Sequence, residues 1–260
     1  PIRLTDYSRD AVDRATHVLL PGVSAAAARG EIDRLKSLWR VANKAVLCLA
    51  LPVALVLLYW GDDVLRLWLG GDQNPKNAIT ALRGYECLVW LALAFVMQVM
   101  GRGIARPLLE GLGKLAVPAR ITVAEGLANF VLSVVLVRTW GLPGVAFATF
   151  VPAAVTGLFV MPWYVCRILH RSYLGHVYNT LGRALPPLAP AWAVLWLAER
   201  AGLHRHLVTL GLTCAAVLVV YVAGALLVTF DADEREAILG RFRRGRPEPA
   251  AENTTAAKGQ

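Results

Sequence analysis

The sequence predicts an all-α polytopic membrane protein, and two observations support this class. Of its 260 residues, 57% are hydrophobic and the mean hydropathy is +0.51, both above what a soluble domain usually shows. Residues 145–166 and 207–230 carry no charge over lengths that cross a bilayer as a helix. Backbone polar groups must be hydrogen-bonded internally in lipid, and these runs are too long for barrel strands. Each is therefore expected to be a helix.

The first 44 residues are expected to hold two short elements. The chain begins with Pro1 and shows no signal peptide, so it is expected to be the later part of a longer protein. Residues 1–29 would then contain the end of a truncated span. Residues 30–44 are predicted to form an amphipathic helix on the cytoplasmic surface. Its apolar residues recur at helical spacing: Ile32, Leu35, Leu38, Trp39 and Ala42.

The transmembrane helix bundle is predicted over residues 45–230, with about six full spans besides the partial first one. The apolar runs that define these spans are residues 41–60, 78–110, 118–137, 145–166, 184–198 and 207–230. Lys44 is close enough to the end of the first run for its ammonium to reach the headgroups. Residues 231–260 are polar and are expected to form a disordered cytoplasmic tail.

The distribution of Lys and Arg orients these spans. Positive charge is concentrated in residues 29–44, in residues 167–183 and in the tail, whereas residues 61–76, 138–144 and 199–206 are weakly charged or balanced. The positive-inside rule then places the basic connections and the C-terminus in the cytoplasm, as expected for a multi-pass protein of the inner (cytoplasmic) membrane. Because the net charge of +9 arises in these connections, no nucleic-acid partner is expected.

No cofactor or metal is expected. Residues 113–120 (GKLAVPAR) lack the glycine spacing and the Ser or Thr of a nucleotide-binding loop, so the sequence favours secondary transport over an ATP-driven pump. The cysteines have no metal-binding or redox spacing, and they are interpreted as small buried hydrophobic residues. They are Cys48, Cys87, Cys166 and Cys214.

Four polar residues recur at four-residue steps in an otherwise apolar segment. They are Gln98, Arg102, Arg106 and Glu110. On one continuous helix they would share a sector of about 120°. Charges inside a span usually face the protein interior or water. Arg102 is the deeper of the two arginines, whereas Arg106 can equally reach the headgroups and Glu110 is expected at the interface.

Glu125 is the other charge expected inside the bilayer. Arg102 and Glu125 are at similar distances from the connection between their predicted helices, so antiparallel packing would place them at similar depth. We expect the two side chains to pair, because pairing offsets the cost of burying both charges. Asn129, one turn further, would extend the same polar face. The pair is equally consistent with a static structural role and with a transport cavity.

Several short patterns occur in order along residues 19–70 and 107–152. The first group comprises a PGVS helix end, GEIDRL in the surface helix, LALP in the next span and RLWLG beyond it. The second comprises GLGK, GLANFVLSVVLV and GLPGVAFAT. In their order and spacing these stretches resemble the polysaccharide-transporter branch of the MOP (MATE-like) exporter superfamily, which includes O-antigen-type flippases.

The resemblance implies both a fold and a function. Family members have two lobes, so the chain would be a MATE/MOP-like second lobe, with the N-terminal lobe of the same protein as its missing partner. The implied function is a flippase that moves a lipid-linked oligosaccharide or exopolysaccharide precursor, such as one for lipopolysaccharide, across the cytoplasmic membrane by alternating access. Its substrate would be a polyprenyl-pyrophosphate-linked glycan within the membrane lipids. The substrate-binding candidates are Arg102, Gln98, Glu125, Asn129 and Arg106.

Other functions remain open from the sequence. A MATE-like small-molecule exporter or a lipid II flippase belongs to the same superfamily, and a membrane scaffold without transport activity is also compatible. An intramembrane glycan polymerase or ligase is less favoured, since such enzymes usually carry a large polar loop. The outer loops here are short and contain only His204 and His206 beside Arg205, so no enzymatic activity is expected.

Overall fold

The structure, a computed structural model, is almost entirely helical and contains no strand within the residues that it describes. The described residues are 25–26, 29–69, 75–203, 207–232 and 234–235. Most of the expected partial span in residues 1–29, and most of the tail, lie outside them. The first four main helices are α1 (Ile32–Leu69), α2 (Pro75–Arg102), α3 (Ala105–Gly111) and α4 (Ala116–Ala154). The later elements are π1 (Val155–Val160, a π-helix), α5 (Met161–Ile168), α6 (Tyr173–Val177), π2 (Tyr178–Gly182, a π-helix), α7 (Leu188–Arg200) and α8 (Leu207–Val228).

Within the described part of the chain, four helical segments are long and apolar enough to cross a membrane. They are Ile32–Leu67, Gly84–Gly111, Ala116–Ile168 and Val208–Val228. This confirms the predicted helical class, with segments that are long and apolar enough to span a membrane; four are described, where about six full spans were predicted. Among the differences from the expected elements, α1 runs without a break across residue 44, and α7 has only 13 residues. At about 1.5 Å per residue, α7 is about 20 Å long, shorter than a bilayer core of about 30 Å.

The long α4 segment is a hairpin that reverses at Gly141. Gly141 has a φ of +64° and a ψ of −139°, which no helix contains. The hydroxyl of Thr156 donates to Glu125 Oε2 at 2.5 Å, although a straight helix would hold residues so far apart in sequence about 46 Å from each other. Two antiparallel arms result, a first arm at residues 116–140 and a second arm from residue 142 onward. They correspond to the two apolar runs predicted at residues 118–137 and 145–166.

α1 bends at Trp60 and packs closely on α2. Trp60 has a φ of −114° and a ψ of 17°, and the chain continues as helix through residues 61–69, where the sequence predicts a loop. Gly61 permits the contact, because a Cβ there would lie 2.9 Å from the side chain of Leu88 and 3.0 Å from that of Tyr85. Helix contacts of this kind form where a small residue allows close approach.

Lys44 lies in the protein interior instead of reaching the headgroups. Its side chain is 0% exposed, and Nζ is 2.6 Å from Oε2 of Glu234 and 4.0 Å from Oδ2 of Asp231. Arg183 in turn donates to Asp231 at 2.5 Å, and this hydrogen bond lowers the pKa of Asp231. Contact with an acid replaces contact with water, since a buried ammonium needs a partner. The start of the predicted tail is therefore packed against α1.

Candidate functional site

The candidate site lies where α2, the first arm of α4 and π1 meet. Gly101 of α2 faces Gly157 of π1 so closely that a Cβ on either glycine would overlap backbone atoms of the other element. The sequence supplies small residues at this contact, as membrane helices commonly do. The π-helical turn shifts the register of the second arm, a feature that is frequent at functional sites. As a result, Thr156 comes next to the first arm.

Arg102, Glu125 and Thr156 form a partly buried polar cluster at this junction. Glu125 is 8% exposed, and its Oε2 is paired with Nη2 of Arg102. The same oxygen accepts the hydrogen bond from Thr156. The predicted pairing of Arg102 with Glu125 is confirmed. Thr156 is absent from the sequence-based candidates, because a threonine in an apolar span carries no distinguishing signal.

Arg102 retains hydrogen-bonding capacity beyond this pair. Its side chain is 25% exposed, and its buried Nε has no hydrogen-bond partner among the described residues. A guanidinium carries five N–H donors in a planar arrangement that fits carboxylate or phosphate oxygens. The pair with Glu125 therefore leaves donors for a further acceptor. Gln98, half-buried, lies one turn before Arg102 on α2.

Asn129 continues the polar surface of the first arm toward the Gly141 turn. Its Oδ1 accepts hydrogen bonds from Ser133 at 3.1 Å and from Thr149 of the second arm at 3.4 Å. Asn129 thus joins the two arms one turn beyond Glu125. This hydroxyl cluster is a neighbour of the Arg102 cluster along the hairpin.

Arg106 is grouped with Glu110 instead of with Arg102. The helix is interrupted after Arg102, so the four-residue series does not lie on one continuous helix as expected. Pro107 explains the interruption, because it lacks the N–H that would bond to the carbonyl of Gly103. Arg106 Nε is 2.9 Å from Glu110 Oε1, and the Arg106 side chain is 74% exposed.

The arrangement can bind an anion. Arg102 has donors beyond those used by Glu125, and an anion can replace the Glu125 carboxylate as the partner of the guanidinium. Within the described residues there is no group of His, Cys, Asp and Glu that could hold a metal ion.

Comparisons of the chain with protein-family models, with curated proteins and with solved structures find no match.

Proposed function

We propose that the chain is the second lobe of a secondary transporter that flips a lipid-linked oligosaccharide or exopolysaccharide precursor across the cytoplasmic membrane. The observation that carries the proposal is the Arg102–Glu125–Thr156 cluster, which is enclosed by helices long and apolar enough to cross a membrane. Burying such a pair in lipid is costly, and ionisable residues within spans commonly mark the path of a substrate or ion.

The chemistry of the cluster suits a phosphate-bearing substrate. A polyprenyl pyrophosphate is anionic and strongly hydrated, and Arg binds phosphate oxygens through two parallel hydrogen bonds. Arg102 is partly exposed, and its Nε has no hydrogen-bond partner among the residues that the structure describes. The headgroup would bind to this guanidinium and displace the carboxylate of Glu125.

Exchange at Glu125 supplies a means of coupling. Once the headgroup occupies Arg102, the Glu125 carboxylate would be released to bind a coupling cation, and the return of Arg102 would displace that cation. Thr156 would keep the carboxylate in place, because its hydroxyl donates to Glu125. Rocking of this lobe against the N-terminal lobe would complete alternating access.

The test is complementation of a deletion strain by the full-length native protein carrying Arg102→Glu, Glu125→Arg or both changes. The proposal expects lipid-linked intermediates to accumulate on the cytoplasmic face with each single variant and with the double variant. The orientation of the charges relative to the substrate path matters for transport, so reversing the pair should not restore it. Protein abundance and thermal stability in detergent are measured in parallel.

One further variant is a control, and another tests the third member of the cluster. Arg106→Gln removes the exposed pair with Glu110 and should support near-normal transport, whereas Thr156→Val should lower transport without abolishing insertion. Full rescue by the Arg102→Glu, Glu125→Arg double variant would show a static structural pair and would overturn the proposed role of the cluster. Absence of accumulated lipid-linked intermediates in the deletion strain itself would exclude the proposed substrate class.

A further inference from the structure

A second polar feature lies away from the Arg102 cluster, in a shallow cleft between α1 and the chain around α6. The cleft measures about 260 Å³ including its open mouth. Three cationic residues line it, together with an indole, an imidazole and an amide, and none of the acidic residues that the structure describes does. These residues are Lys36, Arg40, Arg171, Trp39, His176 and Asn179.

Two buried ring nitrogens in the cleft wall have no hydrogen-bond partner within the described part of the chain. Trp39 is 2% exposed and His176 is 7% exposed, and their rings stack with centroids 3.9 Å apart. The atoms without a partner are Nε1 of Trp39 and Nε2 of His176. Buried N–H groups are nearly always hydrogen-bonded, so a pair of them beside one cleft indicates a missing acceptor.

His176 presents Nε2 as a donor in one of its two neutral tautomers. Its Nδ1 lies 3.3 Å from the hydroxyl of Thr180, and when that hydroxyl donates, the proton of the neutral ring is on Nε2. Burial first, and the nearby Arg171 second, lower the pKa of His176 to about 4, so the ring is neutral at pH 7. The aromatic wall of the cleft therefore holds the N–H donor of Trp39 and, in this tautomer, a second N–H donor at Nε2 of His176.

The positive charge of the cleft is only partly compensated. Lys36 Nζ is 2.9 Å from the exposed Asp33, and Arg40 is 4.0 Å from Glu234. No carboxylate among the described residues lies within ion-pair distance of Arg171. A ligand with negative charge and several acceptor oxygens would pair with Arg171 and bring acceptors to the cleft whose wall holds these ring nitrogens.

We infer that this cleft binds a phosphate group, carried either by an anionic lipid headgroup or by free inorganic phosphate. The residues of the cleft are distinct from those of the proposed transport site, so the inference does not depend on that function. Its two walls come from residues 30–44 and 167–183, which the charge distribution predicts to face the cytoplasm. A phosphate at the level of the headgroups could reach it there.

The test measures binding of phosphatidic acid and of inorganic phosphate to the purified full-length protein in neutral detergent. Native mass spectrometry reports the lipid, and calorimetry reports the free ion. Arg171→Gln should weaken binding about tenfold or more, the effect of losing one charge-assisted hydrogen bond. Trp39→Phe should weaken it about fivefold, since it keeps an aromatic ring but removes Nε1–H.

Arg167→Gln is the matched control, because Arg167 is a nearby arginine that lies 5.6 Å above the ring of Trp163 and does not line the cleft. It should change affinity less than twofold. If Arg171→Gln weakens binding of the lipid alone, the cleft is a headgroup site. If it weakens binding of the free ion alone, the cleft is a free-phosphate site. If it weakens both, the cleft binds the phosphate group itself. Equal effects of Arg171→Gln and Arg167→Gln, or no binding of either probe, would refute the inference.

Discussion

Two buried charged residues far apart in sequence, Lys44 and Glu234, stabilise each other in the described part of the chain. A buried ion pair gains little over an apolar pair of similar volume, but removing one member leaves an uncompensated charge. The consequence for stability therefore depends on whether one or both members are replaced.

Replacing Glu234 with Gln should lower the free energy of unfolding by about 3 kcal/mol, because Lys44 then keeps only the longer contact to Asp231. Lys44→Met combined with Glu234→Leu should cost much less, since no charge remains buried. Thermal unfolding in detergent measures both. Asp33→Asn is the control: Asp33 is 96% exposed in its pair with Lys36, so less than about 1 kcal/mol should be lost.

His176 should make the fold sensitive to mild acid. Its pKa is lowered from 6.5 to about 4, foremost by burial and then by Arg171, so the folded protein favours the neutral ring. The contribution of the neutral His176 ring to the free energy of unfolding is complete above pH 6.5, and it is lost progressively as the pH falls toward 4. Between pH 7 and pH 5 the loss should be about 2 kcal/mol.

Thermal unfolding in phosphate-free buffer at the two pH values measures this loss, and His176→Gln should remove most of it because the side chain no longer titrates. An unchanged pH dependence in that variant would assign the effect to other groups.

At the scale of the element, the hairpin of α4 depends on one residue. The φ and ψ of Gly141 belong to a region that residues with a Cβ rarely occupy, so Gly141→Ala should destabilise the protein by about 1 to 3 kcal/mol. Gly126→Ala is the matched control on the first arm. A Cβ there meets nothing within 4 Å, and the substitution should be neutral or slightly stabilising. Equal thermal stability of the two variants would contradict the claim that the turn depends on Gly141.

The hairpin also shows what the sequence could and could not predict. Residues 138–144 separate two apolar runs of this hairpin. Counting outward from the other connection, residues 111–117, was enough to predict that Arg102 meets Glu125. The partner Thr156 depends on the π-helical register of residues 155–160, which no local pattern signals. The break after Arg102 could have been anticipated from Pro107, whose missing N–H ends the hydrogen-bond series.

At the scale of the whole molecule, the apolar surface is extensive. Large side chains of the first arm are more than half exposed, as are several on α8. They include Val123, Leu127 and Phe130 on the first arm and Val208, Leu212 and Val219 on α8. A lipid environment accounts for such surface without a packing defect, and the proposed N-terminal lobe would cover part of it.

Composition and long apolar runs predicted the helical class because the bilayer constrains backbone hydrogen bonding so strongly. Long-range pairs were harder to predict. Lys44 was expected at the headgroups because its acidic partner lies 190 residues later, in a segment that otherwise has the composition of a disordered tail. Local sequence carries no information on such a contact.

That separation also has a consequence for biosynthesis. Ribosomes add about 5 to 20 residues per second, so Lys44 is made roughly 10 to 40 s before Glu234 exists. During this interval the ammonium has no acidic partner at residue 234 and must stay hydrated. The nascent chain therefore carries an uncompensated lysine on α1, and the helices can close over Lys44 only when Asp231 and Glu234 have emerged.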